Sequence, residues 1–146
     1  MYTEVIALIV SYLGVFIGYG LSKIAKEEVK EGQDNLFYLQ IMTSFLIVAW
    51  MFYNIFPEKQ PIVIIDAIIT LLVLFFVFLI PKYNYALLGI IFGLNPGFVL
   101  GSLIFLYGFP TGSLMYKDNY KKILMKTWPY LVLGLVALLV RNYLLI

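Results

Sequence analysis

The chain has 146 residues, of which 63% are hydrophobic and 12% charged, with a net charge of +2 and a mean hydropathy of +0.97. A soluble domain has about 45–50% apolar and about 25% charged residues, because its surface needs polar cover. The composition therefore predicts an integral membrane protein, and the thinly spread charge does not favour nucleic-acid binding. The lack of cysteine and histidine excludes disulfides, thiol nucleophiles, Ser-His-Asp triads and the usual zinc or haem ligands, so we expect no metal and no cofactor.

Five segments are long and apolar enough to cross a bilayer, since a spanning helix needs about 20 mostly apolar residues. Windows of 18 to 34 residues that carry no charge, or a single one, follow each other along the chain. None alternates polar and apolar residues as a membrane strand would. The sequence predicts an all-α polytopic membrane protein, one transmembrane domain over 1–146 with spans near 3–25, 36–56, 62–80, 84–108 and 123–145.

The first span follows Glu4, without the basic segment of a signal peptide and without a cleavage site before a polar domain. We therefore expect a retained helix in a multi-pass protein of the cell membrane. The frequent Ile, Lys, Tyr and Asn with no Cys are typical of a prokaryotic chain. Ten aromatic residues fall near predicted span ends, where amphipathic aromatic side chains settle at the level of the lipid headgroups. They are Tyr2, Tyr38, Tyr53, Tyr83, Tyr85, Tyr107, Tyr116, Trp128, Tyr130 and Tyr143.

The fourth segment contains the strongest helix-breaking signal, Asn95-Pro96-Gly97. Proline removes a backbone donor and clashes with the preceding turn. We expect either a kink within one crossing or a re-entrant hairpin of two half-spans. The kinked crossing is the first expectation, because a segment of 25 residues, at about 1.5 Å per residue, suffices for a tilted span and neighbouring helices can repair the lost hydrogen bond.

The orientation in the membrane depends on this alternative. If all five segments cross, each side carries five basic residues, and the positive-inside rule gives no orientation. If the fourth segment re-enters, the loop at Lys117 changes sides and the count becomes eight against two. In the five-crossing case the two sets are Lys59, Lys117, Lys121, Lys122 and Lys126 on the N-terminal side, and Lys23, Lys26, Lys30, Lys82 and Arg141 on the other.

Four glycines recur at four-residue spacing in the fourth segment: Gly89, Gly93, Gly97 and Gly101. Such GxxxG stripes let helix backbones approach closely in membranes. We expect this stripe to pack against another helix, most simply the small-residue face of the first span at Gly14, Gly18 and Ser22, or against another chain. The alternative is that these glycines and the break at Asn95-Pro96-Gly97 line a path for a ligand.

Charged and amide side chains inside the spans form a candidate intramembrane polar site. If the third and fifth spans begin on the N-terminal side, its members lie at one depth: Asp66, Lys126, Glu4 and Asn54. A charge at the bilayer centre costs about 2.5–3.5 kcal/mol and usually faces a partner, so one hypothesis is an Asp66–Lys126 pair, with Glu4 competing for the lysine. The simpler alternative is that Asp66 is stabilised by a helix N-terminus and Lys126 extends to the headgroups.

Sequence motifs of membrane enzymes are absent: the chain has no GxGD, no HExxH and no Gly-rich nucleotide loop. We therefore expect a non-catalytic, helix-packing component of a homo-oligomer or of a membrane complex, whose partners are the lipid bilayer and a membrane protein. The alternative is a small solute or ion permease or channel that works as an oligomer. In that case Asp66 and the Asn95-Pro96-Gly97 break would lie on its pathway.

Overall fold

A computed structural model describes residues 2–55 and 84–144. The regular elements in these two ranges are all α-helices, as the sequence predicts. They are α1 (Tyr2–Ile24), α2 (Lys26–Glu31), α3 (Gln33–Ile55), α4 (Asn84–Leu94), α5 (Phe98–Leu114), α6 (Tyr120–Thr127) and α7 (Pro129–Leu144). The predicted third span at 62–80, with Asp66, lies outside the described residues.

Three helical stretches in these ranges are long and apolar enough to cross a membrane: Tyr2–Ile24, Gln33–Met51 and Tyr120–Tyr143. The last combines α6 and α7, because Trp128 between them keeps helical angles (φ −56°, ψ −29°) and its N–H bonds to the carbonyl of Leu124. Pro129 has no N–H to donate, which accounts for the irregularity at this point. The three stretches are consistent with a multi-pass membrane protein.

α1 and α5 pack through their backbones and run parallel. A Cβ atom at Gly14 would overlap the carbonyl of Phe105. One turn later, a Cβ atom at Gly18 would overlap the carbonyl of Phe109. The same close approach is made from α5, where a Cβ atom on Gly112 would overlap the carbonyl of Val15. The contact positions increase together along both helices, and the missing side chains permit this distance.

α4 and α7 form a second parallel pair that also depends on glycine. A Cβ atom at Gly89 would overlap the carbonyl of Tyr130. A Cβ atom at Gly93 would lie 2.7 Å from the carbonyl oxygen of Gly134. The predicted glycine stripe therefore packs on α7 through its first two members, and not on the face of α1 that contains Gly14 and Gly18.

The chain reverses direction at Asn95-Pro96-Gly97. Asn84 Nδ2, at the start of α4, donates a 2.8 Å hydrogen bond to Tyr107 Oη in the middle of α5. In one continuous helix two residues with this separation would lie about 34 Å apart, at about 1.5 Å per residue. The halves of the segment lie side by side and not end to end, so the expectation of one kinked span does not describe it.

This reversal also divides the four-glycine stripe. Gly97 lies at the break, with no atom within 4 Å of the position that its Cβ would take. Gly101 meets the ring of Phe92, with its Cβ position 3.4 Å from the ring. A stripe continuous from Gly89 to Gly101 needs one straight helix, and Pro96 interrupts that helix.

The two ends of the bundle differ in charge. Lys23 Nζ, at the end of α1, donates a 2.8 Å hydrogen bond to the carbonyl of Tyr116, which follows α5. At the opposite end Arg141 Nη1 lies 2.9 Å from Glu4 Oε1. Of the eight Lys and Arg residues in the described ranges, seven lie at the first end, which we call the basic end: Lys23, Lys26, Lys30, Lys117, Lys121, Lys122 and Lys126.

A candidate polar binding cavity

A cavity of about 260 Å³ lies near the basic end, between α3, α4, α5 and the connection to α6. Its inner wall, formed by buried or half-buried residues, consists of Gln40, Asn84, Tyr85 and Thr111. Its mouth is lined by Lys117, Asp118 and Lys126. The cavity thus extends from charged groups outside to uncharged polar groups within the bundle.

Tyr107 connects the residues of the inner wall through hydrogen bonds. Its phenolic oxygen accepts hydrogen bonds from Asn84 Nδ2 at 2.8 Å and from Gln40 Nε2 at 3.2 Å. Thr111, one turn further along α5, donates a 2.7 Å hydrogen bond to the Tyr107 carbonyl. The ring of Tyr85 packs on that of Tyr107, with centroids 6.0 Å apart. Three helices, α3, α4 and α5, thus meet at one phenol.

Two polar atoms of the inner wall have no hydrogen-bond partner among the described residues: Asn84 Oδ1 and Tyr85 Oη. Both residues are at least nine-tenths buried, with 5% and 4% of their surface exposed. A buried polar atom without a partner costs about 1–3 kcal/mol, and such atoms are rare in native proteins. Their position on a cavity wall makes them the strongest indication of a binding site in the described part of the chain.

Buried hydroxyls elsewhere in the bundle are paired. Tyr12 Oη lies 2.7 Å from Thr127 Oγ1, which joins α1 to α6. The hydroxyls of Ser11 and Tyr130 form a hydrogen bond between α1 and α7. The chain thus satisfies its buried hydroxyls at these helix contacts, whereas at the cavity the Tyr85 hydroxyl is left unpaired within the described ranges.

The mouth of the cavity carries a surplus of positive charge. Asp118 lies 2.8 Å from Lys122 and 2.7 Å from Lys126. The hydrogen bonds from Lys122 and then Lys126 hold the pKa of this carboxyl below its ordinary value of 3.8. Asp118 is thus ionised and already neutralised. Lys117 is exposed and forms no ion pair with the acidic residues that the structure describes.

The residues of the predicted intramembrane polar site are not brought together. Lys126 pairs with Asp118 at the basic end, whereas Glu4 pairs with Arg141 at the opposite end. The physical reason is that α1 and α7 are antiparallel, so the start of α1 lies beside the end of α7. Asp66 and the side chain of Asn54 lie outside the described residues, and the Asp66–Lys126 pair remains a prediction.

Three of the aromatic residues expected at the lipid headgroups are buried instead, whereas Tyr2, Tyr38, Tyr53, Trp128 and Tyr143 are exposed. Tyr85, Tyr107 and Tyr130 have 4%, 1% and 0% of their surface exposed. The hydroxyls of Tyr107 and Tyr130 form hydrogen bonds between helices. Composition and position near a span end could not distinguish the two environments, because a tyrosine suits both.

Sequence reasoning missed most of the cavity. Gln40, Asn84 and Thr111 were not singled out, since each is an isolated polar residue in an apolar helix. Only the reversal between α4 and α5 brings Asn84 to Tyr107. The ion pair of Asp118 does have a sequence signal, because Lys122 follows Asp118 at helical i,i+4 spacing.

The residues that line this cavity carry groups that can bind a polar ligand. Among residues 2–55 and 84–144, no group of three or more acidic residues could hold a metal ion. The wall offers hydrogen-bonding oxygens, and the mouth offers ammonium groups. Comparison with known proteins finds no matching family model, no matching curated protein and no matching solved structure.

Proposed function

We propose that this protein is a membrane permease for a small polar solute, and that the cavity is the part of the substrate pathway that opens at the basic end. The observation that carries the proposal is the pair of unpartnered atoms, Asn84 Oδ1 and Tyr85 Oη, at the inner wall. Polar groups within membrane helices are costly, and they usually mark solute or ion pathways.

The paired half-helices α4 and α5 support the same function. In the proposed topology they form a re-entrant hairpin that enters the bilayer from the basic end and turns at Asn95-Pro96-Gly97. Broken helices of this kind build the binding sites of many transporters. Irregular backbone at membrane depth is tolerated where it is buried in protein or lines a cavity.

The charge distribution supports an orientation for this topology. The excess of Lys and Arg at the basic end corresponds to the cytoplasmic side under the positive-inside rule. The cavity then opens to the cytoplasm. The Glu4–Arg141 pair then lies at the external side, and the Asn95-Pro96-Gly97 turn points toward that side.

The described helices close the pathway beyond the cavity. Leu88 and Phe92 follow Asn84 toward the turn, and Ile104 on α5 belongs to the same buried apolar cluster; all three are at most 1% exposed. A solute that crosses must displace this apolar layer. We therefore propose that the α4–α5 hairpin shifts during transport.

A second candidate function, a helix-packing subunit of a homo-oligomer or membrane complex, is supported by a different surface. An apolar groove of about 560 Å³ lies between α1 and α5, where Ala7 and Ser102 have small side chains and Gly101 has none. A helix of another chain could pack there closely. Gly14 and Gly18 do not support this candidate function, because α5 of the same chain already packs against them.

The experiment is solute uptake by proteoliposomes, measured with radiolabelled glycerol, glycerol 3-phosphate, alanine and methylammonium. At least one solute should enter faster than into protein-free liposomes. Tyr85→Phe removes only an unpartnered hydroxyl, so it should slow that uptake about fivefold, the value of one hydrogen bond. Tyr143→Phe removes an exposed hydroxyl and is the matched control. Uptake no faster than into empty liposomes for all four solutes would contradict the proposal.

A further inference from the structure

We propose that the cavity binds a small polyol phosphate, with its phosphate at the mouth and its hydroxyl groups at the inner wall. The inference rests on the proposed function, since it names the solute class of the same cavity. It follows from the different chemistry of the two ends of the cavity.

The mouth selects an anion. Lys117 and Lys126 both line it, and the carboxylate there, Asp118, is held by Lys122 and Lys126. Among the described residues, an anion at the mouth therefore meets two ammonium groups and one carboxylate that is already paired. Lysine binds phosphate as a compact point charge with three donors. A cationic solute would be repelled at the same position.

The inner wall selects hydroxyl groups. With Asn84 Nδ2 donating to Tyr107, the free Asn84 Oδ1 can only accept a hydrogen bond. Tyr85 Oη, of the same inner wall, can donate or accept. A phosphate or carboxylate would leave Asn84 Oδ1 unpaired and would be buried away from the lysines, which is costly. The hydroxyl groups of a polyol suit both atoms, because a hydroxyl can donate to Asn84 Oδ1 and can donate to or accept from Tyr85 Oη.

The size of the cavity limits the solute. Its volume of about 260 Å³ lies below the range of about 300–1,000 Å³ that is typical for drug-sized ligands. A polyol chain of a few carbons with one phosphate is smaller than a drug-sized ligand and suits this volume. The two unpartnered atoms are shielded in the structure, so the ring of Tyr85 has to turn slightly to admit the hydroxyl.

The test measures binding to the purified full-length chain by isothermal titration calorimetry, with glycerol 3-phosphate as the probe. Glycerol and inorganic phosphate are titrated separately. Glycerol 3-phosphate should bind at least about tenfold more tightly than either fragment, because it alone engages both ends of the cavity. Lys117→Gln should weaken glycerol 3-phosphate severalfold and leave glycerol unchanged. Lys121→Gln is the matched control, since Lys121 does not line the cavity, and it should change neither.

Tyr85→Phe gives the complementary result. It should weaken glycerol and glycerol 3-phosphate by the same factor and leave inorganic phosphate unaffected. A Lys117→Gln variant that binds glycerol 3-phosphate as tightly as the wild type would overturn the inference. So would glycerol, alanine or methylammonium binding as tightly as glycerol 3-phosphate, and in that case the permease proposal would still stand. If none of these solutes binds and none is taken up, both proposals fail.

The phosphate could belong to a soluble metabolite or to a phosphoglycerol lipid headgroup. Nanodiscs with and without phosphatidylglycerol separate these sources. Competition by phosphatidylglycerol supports the inference and assigns the ligand to the lipid. Equal binding of glycerol 3-phosphate in both nanodiscs supports the inference and assigns it to the soluble compound. Loss of binding in both nanodiscs overturns it.

Discussion

Asn84 and Tyr107 are 23 residues apart in the chain and are joined by a 2.8 Å hydrogen bond from the amide Nδ2 to the phenolic oxygen. The bond shows that α4 and α5 lie side by side. It also lies at the cavity, because Asn84 lines the inner wall and its other amide atom, Oδ1, has no hydrogen-bond partner among the described residues. The reversal of the chain and the binding site therefore have a common origin.

Tyr107→Phe should destabilise the protein much more than Tyr85→Phe. Loss of the Tyr107 hydroxyl leaves the amide donors of Asn84 and Gln40 without their acceptor, at a cost of about 1–3 kcal/mol. Loss of the Tyr85 hydroxyl removes a group with no partner in the described structure, so the free energy of unfolding should stay within about 0.5 kcal/mol or rise. Unfolding of both variants in detergent by SDS titration measures the difference, and equal destabilisation would contradict this role for Tyr107.

Lys26 and Lys117 should be accessible from the same side of the membrane. The chain has no native cysteine, so the variants Lys26→Cys, Lys117→Cys and Tyr143→Cys can each be labelled with a membrane-impermeant maleimide. In the re-entrant topology the cysteines of Lys26→Cys and Lys117→Cys react from the cytoplasm, and the cysteine of Tyr143→Cys reacts from outside.

The same three variants test the alternative topology. If the fourth segment crosses the bilayer as one span, the loop at Lys117 moves to the side opposite Lys26. Labelling of Lys26→Cys and Lys117→Cys from opposite sides would therefore exclude the re-entrant hairpin.

Gly18→Ala and Gly112→Ala should each destabilise the contact between α1 and α5. A Cβ atom at either position would overlap backbone of the facing helix, and overpacking of this kind costs about 1–3 kcal/mol. Gly20 is the matched control on α1, because its Cβ would meet nothing within 4 Å. Gly20→Ala should be neutral or stabilise by up to about 1 kcal/mol, since alanine favours a helix over glycine. Equal thermal stability of all three variants in detergent would show that α1 and α5 do not pack as described.

Acidification should weaken the connection between α5 and α6 through Asp118. Because Lys122 and Lys126 lower the pKa of Asp118 in the folded state, its contribution is present above the ordinary pKa of 3.8 and is lost as the pH falls through the lower folded value. Both lysines are about half exposed or more, so the contribution should not exceed about 1 kcal/mol. Asp118→Asn should reduce stability at neutral pH and remove this part of the pH dependence. A thermal unfolding series that is parallel for wild type and variant across this pH range would contradict it.

Much of the helical architecture is predictable because it depends on local properties. Apolar windows of spanning length predict helices, and the three described long stretches agree with the first, second and fifth predicted spans. Pro96 predicts the break between α4 and α5, since a missing donor and a steric clash act on the adjacent turn. The close packing of Gly14 and Gly18 was also expected, because small residues at four-residue spacing permit backbone contact.

The partners of these features were decided by the tertiary structure. Gly14 and Gly18 face Phe105 and Phe109 on α5, while Gly89 and Gly93 face α7. Glu4 finds Arg141, because antiparallel helices bring the start of one beside the end of the other. Nothing in the local sequence specifies these pairings, since each glycine face would accept any helix with a suitable backbone surface.

The sequence by itself determined that this chain is apolar, helical and interrupted at Asn95-Pro96-Gly97, because composition, hydrophobic length and proline geometry act within one or two helical turns. The tertiary structure alone decided that the interruption is a reversal, and that Asn84 therefore meets Tyr107 and leaves Oδ1 at a cavity. A proline breaks a helix in the same way whether the chain then continues or turns back. The direction after the break depends on the packing of α4 on α7 and of α5 on α1, contacts between residues that are distant in the chain.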